Sequence, residues 1–252
     1  MNAVRPIDRL DTQPRFTEHD AIRLNRMFRG SDTEEWLRAA IEGDLLGDYA
    51  TVSSFGAESA VLLHLLAQID PAVPVLFLDT GKHFAETLAY RDEVVERLGL
   101  TNLHVLHPEL TELKTRDDTG LRWSYDPDGC CEIRKVRPLA KALANYDASF
   151  TGRKAFQSAT RANLPRFEID NSDAQGRLKV NPLIDWDAER VSAYIAEHDL
   201  PRHPLVERGY PSIGCSPCTR PVGDGEDARA GRWSGWDKVE CGIHKPGEEP
   251  FL

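Results

Sequence analysis

The sequence predicts an α/β fold: a doubly wound, mostly parallel sheet with helices on both faces, followed by an irregular C-terminal tail. Three observations carry that prediction. Short continuous apolar runs alternate with stretches of helical period, the pattern that builds right-handed strand–helix–strand crossovers. Two short motifs, Ser54-Phe55-Gly56-Ala57-Glu58-Ser59 and Asp79-Thr80-Gly81, follow the first two runs, beyond the carboxyl ends of the strands where such sheets bind ligands. At 252 residues the chain can bury a core without disulfides.

In chain order, a polar N-terminal arm leads to Ser31-Asp32-Thr33-Glu34, whose S-x-x-E form of a capping box opens a helix through Leu46. Tyr49–Ser53 reads as a buried strand and Glu58–Gln68 as a helix carrying Val61, Leu62, Leu65 and Leu66. Val73–Leu78 is a second strand, Phe84–Leu98 a second helix and Leu103–Leu106 a third strand. A helix is expected over 130–144, beginning at a cysteine pair, then a strand at Ala148–Thr151 and a loop. One more extended piece, Lys179–Pro182, precedes a helix over Asp187–His198. From Pro201 onward Gly and Pro are dense, so local apolar periodicity gives way to irregular structure organised by Cys215 and Cys218. These boundaries divide the chain into an arm with helices (1–47), a ligand-binding domain (48–220) and a mobile C-terminal tail (221–252).

The formal charge of -10 argues against a general nucleic-acid binder, although local clusters such as Arg134-Lys135-Arg137 and Arg153-Lys154 leave room for a small anion. Every apolar segment is interrupted by Glu, Asp, Arg or His, so no membrane span and no signal-peptide run is expected, and a cytoplasmic enzyme with reduced thiols is the default.

Four of the five cysteines fall into two close pairs, Cys130-Cys131 and Cys215-x-x-Cys218, and Cys241 stands alone in ECGIH. Four thiolates can close a tetrahedral zinc site or hold an iron-sulfur cluster, and adjacent cysteines suit two corners of a compact cluster better than a zinc knuckle. Two disulfides with a spare thiol remain the alternative. The leftover cysteine can be a nucleophile.

The Ser54–Ser59 loop, between a strand and the N-terminus of its helix, favours an anion through backbone N–H groups, with Gly56 permitting a tight turn. It lacks the Walker A arrangement. It does resemble the SGGxDS loop of the PP-loop family of adenine-nucleotide enzymes, and Asp79-Thr80-Gly81 occupies that superfamily's next substrate loop.

SSFGAES, FLDTGKHF, DGCCEIRKVRPL, VNPLIDW, GYPSIGCSPCTRPV and ECGIH, in this order, resemble the assimilatory adenosine 5'-phosphosulfate (APS) reductases from about Asp48 to Lys245. In the related 3'-phosphoadenosine 5'-phosphosulfate (PAPS) reductases the ECG[IL]H tail persists without the four paired cysteines. The resemblance therefore implies an adenine nucleotide alpha hydrolase-like fold, APS as substrate, and a 4Fe-4S cluster on Cys130, Cys131, Cys215 and Cys218. It further implies Cys241 as a nucleophile that forms S-sulfocysteine, thioredoxin as reductant, and a homo-oligomer, with no nucleic-acid or membrane partner. Substrate-binding residues implied by the resemblance and the loop positions are Ser54, Gly56, Ser59, Asp79, Thr80, Gly81, Lys135, Gly152, Arg153, Arg229, Arg232 and His244. Lys135, four residues after Cys131, is expected about one helical turn from the cluster. The family's TGRRRDQS reads Thr151-Gly152-Arg153-Lys154-Ala155-Phe156-Gln157-Ser158 here, so one basic and one acidic position are replaced, with Lys154 or Arg161 placed to compensate. A PP-loop ATP pyrophosphatase of tRNA thiolation is the rival enzyme, but Ala57 stands where those enzymes use Lys and the acidic balance suits tRNA poorly. A zinc-binding interaction module would leave both nucleotide loops unexplained.

Overall fold

A computed structural model describes residues 15–157, 161–170, 176–238 and 240–244. The first helix of the described residues is α1 (Glu18–Met27), within the stretch expected to be a polar arm. Its start is fixed by the Asp20 carboxylate, which accepts from the Thr17 N–H at 3.0 Å and the Thr17 hydroxyl at 2.8 Å. The apolar signal is thin because Ala21 and Leu24 alone are buried along it. The second helix, α2 (Thr33–Glu42), is capped by Asp32 and not by Ser31, the Asp32 side chain accepting from the Glu34 N–H. It stops at Gly43, short of the expected Leu46, because Asp44 turns left-handed (φ 51°).

The sheet strands then appear close to their expected places: β1 (Tyr49–Ser53), β2 (Val75–Leu78), β3 (Leu103–Leu106), β4 (Ala148–Phe150) and β6 (Leu178–Val180). An additional strand, β5 (Phe167–Ile169), adds an antiparallel edge. The spatial order is β3-β2-β1-β4-β6-β5, and all pairings but the last are parallel, so the expected fold class is found. β2 starts at Val75 because Pro74 has no N–H to give; its carbonyl accepts from the Thr51 N–H instead.

Alternation along the strands sorts side chains to two faces. Val75 and Phe77 join the larger core with α1, α2, α3 (Ser59–Ala67), α4 (Ala85–Leu98) and α8 (Ala188–Glu197), whereas Leu76 and Leu78 meet Leu139 and Leu143 on the other face. The N-terminal helices thus share the sheet's own core, with Phe28, Trp36 and Phe167 in mutual ring contact.

The connection from β3 contains a short helix α5 (Leu110–Arg116) that the sequence pattern did not reveal. The cysteine-bearing helix begins earlier than expected, at Pro127, with Asp126 as its cap. It runs as α6 (Pro127–Cys131), a π turn (Glu132–Val136) and α7 (Arg137–Leu143), not as one regular helix. Among the described residues no helix is long and apolar enough to cross a membrane.

Candidate functional site

Strand order reverses direction between β1 and β4, which places a topological switch point at Ser53 and Thr151. A cleft of about 220 Å³ opens there. It is bounded by the loop after β1, the loop after β4, the Pro211–Gly214 segment and the tail.

The β1 loop is bent by Phe55, not by Gly56 as expected. Phe55 holds a left-handed conformation (φ 46°), and Gly56 has no positive φ. That conformation costs a non-glycine residue about 1 kcal/mol. It is maintained because the Phe55 ring is wholly buried against Phe77, at 5.4 Å and 79°, and its N–H donates to the Ser53 hydroxyl. With Phe55 turned inward, Ser54, Gly56 and Ser59 line the cleft, and the Ser59 hydroxyl donates to the Gly56 carbonyl at 2.8 Å.

Gly152 and Arg153 line the cleft from β4. The Arg153 guanidinium is tied down, donating to Asn181 Oδ1 and the Thr151 hydroxyl and pairing with Glu168. Its neighbour Lys154 is buried and pairs with Glu58 at 2.9 Å, and burial outweighs that pairing to pull the Lys154 pKa down. Glu58 and Glu240 were not assigned to the site from the sequence. Glu58 meets Gln157 across 99 residues and Glu240 meets Arg161 across 79, so no local pattern could reveal those contacts.

Arg229, Arg232 and Cys241 reach the same cleft from the tail. Arg232 is secured by pairing of Thr219 with Arg232, by the Trp233 N–H donating to the Cys218 carbonyl, and by its guanidinium over the Trp233 ring at 4.5 Å. A side chain at Gly231 would strike the Arg220 carbonyl, so that close strand-like approach requires glycine. Ile243 seats the turn after Cys241 against the Leu76, Leu78 and Leu139 cluster. His244 closes the short 3-10 turn Gly242–His244, and its side chain lies outside the described residues.

The four paired cysteines line a second, small cavity together with Thr80, Lys82, Trp123, Arg134 and Lys135. All five cysteines of the chain are free, which sets aside the disulfide alternative. Among the described residues no three or more His, Cys, Asp or Glu converge on a single-ion site. Lys135, Arg232 and Trp233 line both cavities and form the wall between them. The π turn produces this division: Arg134 turns to Asp117 and the Thr80 carbonyl, while Lys135 faces the shared wall. The expectation of a regular helical turn from Cys131 to Lys135 is corrected accordingly.

Asp79, Thr80 and Gly81 are not brought to the cleft. Asp79 accepts from the Gly81 N–H at 2.9 Å, and the loop props the thiol cavity instead, through Thr80 Oγ1 to Cys215 Sγ at 3.3 Å and the Ser216 N–H to the Lys82 carbonyl at 2.8 Å.

Burial pushes the Cys130 thiol up to about 12 and Cys131 up to about 11. Burial acts the same way on Cys215, but the Lys135 ammonium, the Thr80 hydroxyl and the Arg232 guanidinium together outweigh it and hold that thiol below its ordinary value. Burial opposes the Lys135 charge, yet the sulfurs of Cys215, Cys241 and Cys131 raise its pKa above the usual lysine range. The site can therefore hold the Lys135 cation beside the Cys215 thiolate and bind an anion in the cleft.

A family model described as the phosphoadenosine phosphosulfate reductase domain matches residues 48–221. An adenosine 5'-phosphosulfate reductase of Mesorhizobium japonicum is 46% identical over 248 residues, covering 98% of this chain and 96% of that protein. One from a Chelativorans species is 53% identical over 203 residues, covering 81% of each. A protein of Gloeobacter violaceus named phosphoadenosine 5'-phosphosulfate reductase is 46% identical, covering 76% of this chain and 80% of its own length. Among solved structures, the phosphoadenylyl-sulfate reductase of Candida auris in a phosphate complex superposes with a TM-score of 0.70 at 28% identity, covering 82% of this chain and all of that one.

Proposed function

The chain belongs to the phosphoadenosine phosphosulfate reductase domain family, and from that premise we propose that it reduces adenosine 5'-phosphosulfate to sulfite and AMP, with Cys241 as nucleophile and thioredoxin as reductant. The observation that carries the reading is that Cys241 shares one cleft at the sheet's switch point with Lys135, Arg229 and Arg232. A nucleotide lies there with its phosphosulfate toward the cations and its sulfur toward the thiol. The Cys241 thiolate forms an S–S bond to the sulfonate sulfur as the S–O bond to AMP breaks, and AMP leaves with the bonding electron pair. Thioredoxin dithiol then supplies two electrons: one of its thiolates attacks the Cys241 sulfur, sulfite departs, and the mixed disulfide resolves to oxidised thioredoxin and free Cys241.

The cations have distinct tasks. Lys135 and Arg232, on the wall between the cavities, offset the sulfonate charge, and Arg229 with Arg161 faces the phosphate. Trp233 and the Pro211–Gly214 segment supply the apolar part of the cleft wall beside these cations.

A 4Fe-4S cluster fits the donor set of the second cavity. Among the described residues four thiols line it with four cationic side chains, Lys82, Arg134, Lys135 and Arg232, and no carboxylate or imidazole, which suits a group that is anionic once ligated by thiolates. Cys130, Cys131, Cys215 and Cys218 would hold it. When bound, the cluster supplies a compact anionic, redox-capable centre beside Lys135. Changing Cys215 to Ser is expected to lose iron, measured by metal and acid-labile sulfide content; full iron in that variant would remove the assignment.

The cluster cysteines also motivate selectivity for APS over PAPS, and comparable catalytic efficiency on the two nucleotides would overturn it. The covalent step is tested by mixing wild-type protein with APS in the absence of thioredoxin. About one AMP per active site should be released, and the peptide containing Glu240-Cys241-Gly242 should gain the mass of one sulfonate. Cys241→Ser should bind nucleotide yet form no sulfite. An adduct on another residue would refute the role of Cys241.

A further inference from the structure

The residue before the nucleophile occupies part of the cleft's own anion site. Glu240 Oε1 accepts from Arg161 Nε at 2.9 Å and from its terminal nitrogen at 2.6 Å, a two-pronged fork, and Glu240 Oε2 accepts from Arg229 at 3.2 Å. The Arg161 and Glu240 side chains are 8% and 12% exposed, so this pairing is sheltered from solvent. Other cleft cations are also neutralised internally, Arg153 by Glu168 and Lys154 by Glu58. Those partners belong to the sheet edge and the β1 loop. Glu240 alone among them sits on the segment that carries Cys241.

Cys241 is thus held between two anchors of different chemistry. Ile243 on one side packs against the Leu76, Leu78 and Leu139 cluster, an apolar contact for which an anionic group is no substitute. Glu240 on the other side holds by charge, and a phosphate competes with it directly, offering more negative charge and more acceptor oxygens to the same two guanidinium groups.

We propose that Glu240 is an internal stand-in for the substrate's anion: it holds Arg161 and Arg229 in place in the empty cleft, and the incoming phosphate displaces it, freeing the Cys241 segment at the moment substrate is bound. This rests on the nucleotide-binding reading of the cleft. Displacement does not need the reading to be right about APS in particular, because any oxyanion that reaches the two arginines should act the same way.

The experiment is alkylation of Cys241 by iodoacetamide in the intact protein, purified without oxygen and followed by peptide mass spectrometry, together with AMP binding by calorimetry. Saturating AMP should raise the Cys241 alkylation rate in wild-type protein by fivefold or more. Sodium sulfate, compared with sodium chloride at equal ionic strength, should do so in a saturable way. Glu240→Gln should alkylate fast without any anion and should bind AMP about tenfold more tightly, since its two arginines have lost their internal carboxylate. An alkylation rate in wild type that falls or stays level with both anions would overturn the proposal, and so would a Glu240→Gln protein that binds AMP no better than wild type. Wild-type protein that fails to bind AMP yet responds to sulfate would instead defeat the nucleotide reading and leave the displacement standing. The wild-type arms need no variant, so a poorly folded Glu240→Gln protein does not shield the idea.

Discussion

Replacing Gly214 by Ala should remove Arg232 from its place while leaving the fold almost untouched. A Cβ at Gly214 would stand 2.6 Å from Arg232 Cζ and 3.1 Å from its Nε, against about 3.5 Å for a comfortable contact, so the guanidinium must retreat by roughly 1 Å. What it gives up is weak: donations to the Ser212 hydroxyl at 3.4 Å and the Ile213 carbonyl at 3.3 Å, and part of its contact with Trp233. Gly214 has no positive φ, so alanine also trims the unfolded chain's freedom by about 0.4–1 kcal/mol. The two effects nearly cancel, and the melting temperature should move by no more than about 4 °C. Catalysis should respond differently. If Arg232 makes a charged hydrogen bond to the phosphosulfate, losing it removes about 1.5–3 kcal/mol, or roughly 10- to 150-fold in kcat/KM. The assay is sulfite release from APS with thioredoxin, run beside Arg232→Ala and paired with thermal unfolding. A Gly214→Ala enzyme within threefold of wild type, while Arg232→Ala is far slower, would refute the steric reasoning. A loss of activity that tracked a loss of fold would do the same.

Two stability predictions follow from buried charge. Asp117, wholly buried, accepts from Arg134 at 2.6 Å and 3.1 Å and from the Arg122 N–H at 2.8 Å; burial raises its pKa, but these donors outweigh it and hold the carboxyl below its usual range. Asp117→Asn should cost about 3–5 kcal/mol by urea unfolding because Arg134 is stranded, and Asp117→Asn with Arg134→Met should recover much of that; an additive double variant would show that the pair is not coupled. His203, with no exposed surface, accepts from the Leu205 N–H and donates to the Thr87 hydroxyl, and burial pushes its pKa down to about 4 from 6.5. A histidine depressed in the fold stabilises above its unfolded pKa, so stability should be full above pH 6.5 and fall by up to about 3 kcal/mol as the pH drops toward 4. His203→Asn should flatten that part of the pH profile of thermal unfolding, and an unchanged slope would exclude His203 as its source.

The sequence by itself determined the fold class, most strand positions and the division of the cysteines. Continuous apolar runs such as Val75-Leu76-Phe77-Leu78 and caps such as Asp187 act over a few residues, and those few residues decide them. Where competing local signals lie side by side, packing decides between them: Asp32 takes the cap from Ser31, and Phe55 takes the left-handed turn that Gly56 would adopt more easily, because a buried ring outweighs backbone ease. The chemistry of the cleft was decided elsewhere. That Arg153 is bound to Asn181 and Glu168, that Lys135 stands in the wall between two cavities, and that Glu240 holds Arg161 across 79 residues are outcomes of chain packing. A charged side chain shows its sign in the sequence, but its partner is whichever opposite charge the folded backbone brings within about 3 Å under low dielectric, and only the tertiary structure settles which one that is.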